Sequence, residues 1–121
     1  MSRLSPDLLL RVESFCDRVL AVAAAIKDQV PTARLVGQVA AAGTSVGANL
    51  FEADQAVSRA DFCRCLGVCV KELSETRFWI RLIGRNGWLP VARLDPLEAE
   101  CLDLLKIFNA MIVATRRRDR R

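Results

Sequence analysis

The side chains in this chain that could do chemistry are carboxylates, cysteines and arginines. Glu52, Glu72 and Glu75 stand at helical spacing beside Asn49 and Thr76, with Asn49 and Glu52 one turn apart and Glu72 and Glu75 one turn apart. Three such carboxylates could ligate a hard cation through oxygen or move protons. Cys63, Cys65 and Cys69 fall within two helical turns, and Cys16 and Cys101 complete the five thiols. Thiolates of this kind are soft-metal ligands. Arg116, Arg117, Arg118, Arg120 and Arg121, interrupted only by Asp119, are suited to phosphate contacts.

Composition narrows these options. The chain has no histidine, which removes the commonest general base and the commonest metal ligand. It also removes the Glu-x-x-His sites of di-iron bundles. The carboxylates then read as members of a structural polar lock, made of Ser45, Asn49, Glu52, Glu72, Glu75 and Thr76. Arg77 or Arg81 would neutralise a carboxylate in it. Cys-x-Cys-x3-Cys inside one long helix lacks the turn that zinc knuckles use, so the thiols read as reduced core residues of a cytoplasmic protein. No catalytic residue, metal or cofactor is expected. The arginine run carries the whole formal net charge of +4. It reads either as a salt-sensitive, sequence-blind phosphate grip or as a solubilising helix end favoured by the dipole. Arg77, Arg81 and Arg85 form a further i,i+4 row, a basic stripe or an ion-paired solvated face.

The elements that must carry these groups are helical. At 121 residues and 52% hydrophobic content the chain is one domain with a real core. Ser5-Pro6-Asp7 opens a first helix with the seam Leu8, Val12, Phe15, Val19, Val22 and Ile26, and Pro31 closes it. A second runs from about Thr32 to Ala56, with the seam Leu35, Val39, Ala42, Val46, Asn49 and Ala53. It is rich in small residues, and Gly43-x3-Gly47 suits a tight crossing or a subunit contact. A third starts at Ser58, carries Phe62, Leu66, Cys69, Leu73, Thr76, Ile80 and Ile83, and stops at Asn86-Gly87. Asp95-Pro96 opens the fourth, with Leu97, Cys101, Leu104, Phe108 and Met111 inward. Trp88-Leu89-Pro90 would plug one end. Phe78 and Trp79 lie off the seam and read as a subunit interface. The prediction is an all-α, antiparallel up-down-up-down four-helix bundle with left-handed, coiled-coil-like packing. Residues 1–115 form the bundle and 116–121 an Arg-rich C-terminal tail. The uncharged stretch from Leu35 to Phe51 reads as a buried helix and not a membrane span.

Three segments resemble a known family. Thr44-Ser45-Val46-Gly47-Ala48-Asn49-Leu50-Phe51-Glu52-Ala53 resembles the Ser-Ile-x-Ala-Asn-x-x-Glu signature of bacterial four-helix-bundle proteins first noticed as products of intervening sequences in 23S ribosomal RNA genes. Ser58 to Phe62 resembles the family's Ser-Lys-x-Glu-Phe opening of helix three. Lys71 to Trp79 resembles its Lys-Glu-Ala-x-Glu-Thr-x-Tyr-Trp stretch. Val46 for Ile, and Ala53 for a glycine often found there, are mild departures. The resemblance implies a ring-like homopentamer. It also implies kinship with the accessory variability determinant of diversity-generating retroelements, which binds a reverse transcriptase and nucleic acid through a basic surface. The expectation is a non-enzymatic, oligomeric accessory protein that binds RNA or DNA through Arg77, Arg81, Arg85, Arg116, Arg117, Arg118, Arg120 and Arg121. The alternative is a protein–protein scaffold with a protein partner. The partners expected are therefore self, RNA or DNA, or another protein, with no membrane.

Overall fold

The computed structural model describes residues 2–119, so Arg120 and Arg121 lie outside the described residues. Four helices follow one another: α1 (Pro6–Ile26), α2 (Ala33–Asp54), α3 (Arg59–Arg85) and α4 (Val91–Asp119). No strand occurs among the described residues. Three helices begin where side-chain caps allow. Ser5, Thr32 and Ser58 are extended, and each hydroxyl accepts the amide N–H three residues on, from Leu8, Leu35 and Asp61. At Ser58 the box is partly reciprocal, since Asp61 Oδ2 accepts the Val57 N–H at 3.3 Å. α3 is capped at Asn86, and Gly87 takes φ +68°, the left-handed conformation that glycine adopts without strain.

Each helix packs on its sequence neighbours, α1 on α2, α2 on α3 and α3 on α4, which is the up-down-up-down order. Of the helix pairs that touch, α1 and α4 meet least. Arg11 clasps that gap with two parallel bonds to Glu100, Nε to Oε2 at 2.8 Å and Nη2 to Oε1 at 2.6 Å. The seam residues of α1 from Val12 to Ile26 and of α3 from Phe62 to Ile83 are buried as the 3-4 spacing predicts. Leu89 is buried and Trp88 half-buried against the core, closing one end.

The small residues of α2 divide between two faces. Gly43 and Gly47 are buried against α1: a methyl on Gly43 would lie 2.4 Å from Val19 Cγ1, and one on Gly47 2.8 Å from Cys16 Sγ. Gly43-x3-Gly47 is thus the tight crossing within the chain. Gly37, Ala41, Thr44, Ala48 and Phe51 form a separate, exposed and uncharged stripe.

One boundary differs from expectation. α4 opens at Val91, not at Asp95, and Pro96 lies inside it. Asp95-Pro96 has the look of a cap with proline at N1. The added turn nevertheless forms because Leu94 is buried and packs, with Val91, over Gly84 of α3, both 3.5 Å from where a methyl would stand. At its other end α4 runs unbroken through Thr115 to Asp119, so Arg116, Arg117 and Arg118 are its last turn.

Candidate nucleic-acid interface

The antiparallel order brings the chain start, the α2–α3 connection and the end of α4 to one end of the bundle. Six arginines gather there: Arg3, Arg59, Arg64, Arg116, Arg117 and Arg118. Cations at a helix C-terminus complement its dipole, which suits the last turn of α4. Arg59 Nη1 meets Asp119 Oδ1 at 3.2 Å, tying α3 to α4. Arg64 pairs with Asp61 one turn earlier at 2.9 Å, and that guanidinium holds the Asp61 carboxyl below its ordinary range. Arg64 and Arg116 also line a shallow cleft of about 500 Å³ with Cys63, Gly67 and Asp119.

Arg3 is held from two sides. Its guanidinium lies over the Phe62 ring, 5.9 Å from the centroid, and Nε donates to the Ala56 carbonyl at 2.9 Å. Its backbone is fixed by Asp54, whose Oδ1 accepts the N–H groups of Arg3 at 2.8 Å and Leu4 at 2.7 Å and the Ser2 hydroxyl at 2.7 Å. The Ser2 bond foremost, then the amides, hold the Asp54 carboxyl below its ordinary range. Neither Arg3 nor Asp54 stands out by motif. The available signal is a carboxylate in the last turn of α2, where the dipole disfavours it unless outside donors reach it.

The helix-three stripe is differently placed. Arg77 Nε and Arg81 Nη1 both reach Glu98 Oε2 on α4, at 3.0 and 3.4 Å. Arg85 stands alongside, lining a cleft of about 230 Å³ with Val91, Leu94 and Asp95. Two of the three arginines therefore spend their charge on α4.

The polar residues expected to form the lock bond locally. Asn49 Nδ2 donates to the Ser45 carbonyl at 2.8 Å, and Thr76 Oγ1, fully buried, to the Glu72 carbonyl at 2.8 Å. Glu75 is exposed and accepts Trp79 Nε1 at 3.1 Å. Register keeps the carboxylates apart. Cys69 Sγ lies 3.5 Å from the Val46 carbonyl, so Glu52 falls beside Cys65 and Arg64, about 10 Å of helix from Glu72. Burial foremost, then Glu75, pushes the Glu72 carboxyl up. Burial also pushes the Cys69 and Cys101 thiols up to about 12, the behaviour of inert core cysteines. Among the described residues no group of His, Cys, Asp and Glu side chains is arranged to hold a metal ion, and no helix is long and apolar enough to cross a membrane.

An antiparallel four-helix bundle with one arginine-rich end defines the class of protein. The chain matches the 23S rRNA-intervening sequence protein family over residues 10–110, and it belongs to that family. It is similar to a solved protein of unknown function from the S23 ribosomal protein family of Bacteroides thetaiotaomicron. Identity is 27% over 86% of this chain and 96% of that one, with a TM-score of 0.81. No curated protein matches the chain.

Proposed function

We propose that this protein is a non-enzymatic, cytoplasmic, homo-oligomeric accessory protein that binds nucleic acid through its arginine-rich end. The observation that carries this reading is the convergence of Arg3, Arg59, Arg64, Arg116, Arg117 and Arg118 from three parts of the chain. Of the carboxylates at that end, Asp61 and Asp119 are each paired with an arginine and Asp54 is buried, while Asp7 and Glu52 are exposed, Glu52 beside Arg64. A surplus of guanidinium at one end grips phosphate without reading sequence. Self-association is supported by the outer face of α2, where no charge interrupts Gly37, Ala41, Thr44, Ala48 and Phe51. A solvated helix ordinarily carries charge on that face. The family resemblance supports a pentamer, in which the arginine ends of several copies would add their fields.

The test is RNA and DNA binding at low and physiological salt, for the wild type and for a variant with Arg116, Arg117 and Arg118 all changed to Gln. Substitution is preferable to truncation because these residues belong to α4. The expected result is binding that weakens steeply with salt, and a triple variant with weaker affinity and a salt slope lower by roughly 2–3. Absence of binding by the wild type at low salt would overturn the reading and favour a protein scaffold, for which the uncharged face of α2 and the half-exposed Phe78 are the available surfaces.

A further inference from the structure

Two adjoining depressions of about 170 and 190 Å³ lie at the arginine-rich end. They share Arg3, Phe62, Thr115 and Arg118, and Arg59 completes the second. The floor is the Phe62 ring, and the rim is three guanidiniums brought from the chain start, the first turn of α3 and the last turn of α4. Thr115 adds no donor, because its hydroxyl already donates to the Met111 carbonyl at 2.8 Å. Each depression is smaller than the roughly 300 Å³ of ordinary ligand sites, and each admits one phosphate.

The charge is informative. Asp119 offsets Arg59, and Asp61 is engaged by Arg64. Arg3 has its Nε on a neutral carbonyl, and Arg118 pairs with no carboxylate among the described residues. Two guanidiniums therefore face the depression without a paired carboxylate, Arg3 feeling Asp61 only at longer range. An internal phosphodiester carries one negative charge, whereas a terminal phosphate monoester carries about 1.5–2 near neutrality. We infer that the Arg3–Arg59–Arg118 depression is a binding site for the terminal phosphate monoester of a nucleic-acid strand. This inference rests on the nucleic-acid reading and names the group the end grips first. Asp54 is a positioning residue for it, since its carboxylate fixes the backbone from which Arg3 reaches Phe62.

The test compares one short single-stranded oligonucleotide with a 5′-phosphate and with a 5′-hydroxyl, by fluorescence anisotropy across pH 5–8. It is joined by thermal melts with and without inorganic phosphate. The wild type is expected to prefer the phosphorylated strand about tenfold at pH 7.5, a difference of about 1.4 kcal/mol. The preference fades below about pH 6 as the monoester dianion takes up a proton and becomes a monoanion. Arg118→Gln and Arg3→Gln each abolish the preference, Asp54→Asn reduces it, and Lys106→Gln, a charge loss on α4 outside the depression, leaves it intact. Equal affinity of the wild type for both strands would overturn the site while leaving nucleic-acid binding standing. If neither strand binds, yet inorganic phosphate raises the melting temperature of the wild type and not of Arg118→Gln, the nucleic-acid reading fails and the phosphate site remains. If phosphate also gives no shift, both fail.

Discussion

Single atoms decide where this bundle is tight. The α1–α2 crossing depends on Gly43 having no side chain, because a methyl would stand 2.4 Å from Val19 Cγ1 and 2.6 Å from its Cβ. Gly43→Ala is therefore expected to destabilise by about 1–3 kcal/mol through overpacking. Gly67→Ala, with nothing within 4 Å, should stabilise by roughly 1 kcal/mol through helix propensity alone. Urea midpoints of the two variants check this, and equal shifts would mean that backbone propensity, not the crossing, governs both. The core thiols give a pH dependence. Cys69 and Cys101 rise from an ordinary 9.0 to about 12 on folding, so the folded state favours their neutral form. Their contribution is complete below pH 9 and is lost as pH rises from there towards 12. Stability should fall between pH 9 and 10.5, and a Cys69→Val, Cys101→Val double variant should flatten that limb. In the native protein Cys69 and Cys101 should also resist alkylation at pH 8. Of the candidate site, the arginines of the α4 end and the seam position of Thr76 were legible in the sequence. The pairing of Arg77 and Arg81 with Glu98 was not, because it joins α3 to α4 across a register that spacing along one helix does not specify. Asp54 was hidden for the same reason, since its partners Ser2, Arg3 and Leu4 lie some fifty residues away.

At the scale of the element, the seams could be read because core packing imposes the 3-4 spacing that the sequence displays. Three starts could be read because a hydroxyl at the cap is a local device. The start of α4 could not, because its local signal and its tertiary packing disagree. Pro96 is the sixth residue of α4, where its missing N–H leaves the Ala92 carbonyl without the usual i→i−4 donor. Burial of Leu94 and Leu97 on either side outweighs that loss. Pro96→Ala should accordingly stabilise the protein by about 1–3 kcal/mol, because it restores one helical bond and relieves the clash with the Ala92 carbonyl. A urea midpoint unchanged or lowered by the substitution would show that the proline sets a bend on which the packing over Gly84 depends. The Arg11–Glu100 clasp is a smaller device. Arg11 is exposed and solvent screens the pair, so it fixes the approach of α1 to α4 more than it stabilises either helix. Glu100 still feels it, since the Arg11 bond holds the Glu100 carboxyl below its ordinary range. Its share of stability is present above the ordinary carboxylate range and is lost as pH falls through the lowered one.

The whole molecule separates its surfaces by character. Charge surplus lies at the end where α4 finishes, whereas the outer face of α2 from Gly37 to Phe51 carries none. An uncharged helix face ending in a half-exposed phenylalanine is costly to leave in water across its full length, and in the proposed assembly burial against a second copy of the chain would offset that cost. In a closed ring each copy would present this face to a different surface of its neighbour, so one substitution is repeated at every contact. Ala48→Glu is the sharp probe. Ala48 is exposed within one chain, so a glutamate there should change the stability of an isolated protomer by no more than about 0.5 kcal/mol. At an apolar subunit contact the same glutamate would bury an unpaired charge at every interface of the ring. Light scattering should therefore give the wild type a multiple of 13.4 kDa and Ala48→Glu the single-protomer mass with helical content retained. Ala24→Glu, also at an exposed position but on α1, should keep the wild-type mass. A wild type that scatters as one protomer at micromolar concentration would remove self-association from the proposal. An Ala48→Glu variant with the wild-type mass would instead move the contact off the outer face of α2, leaving Phe78 on α3 as the next surface to probe.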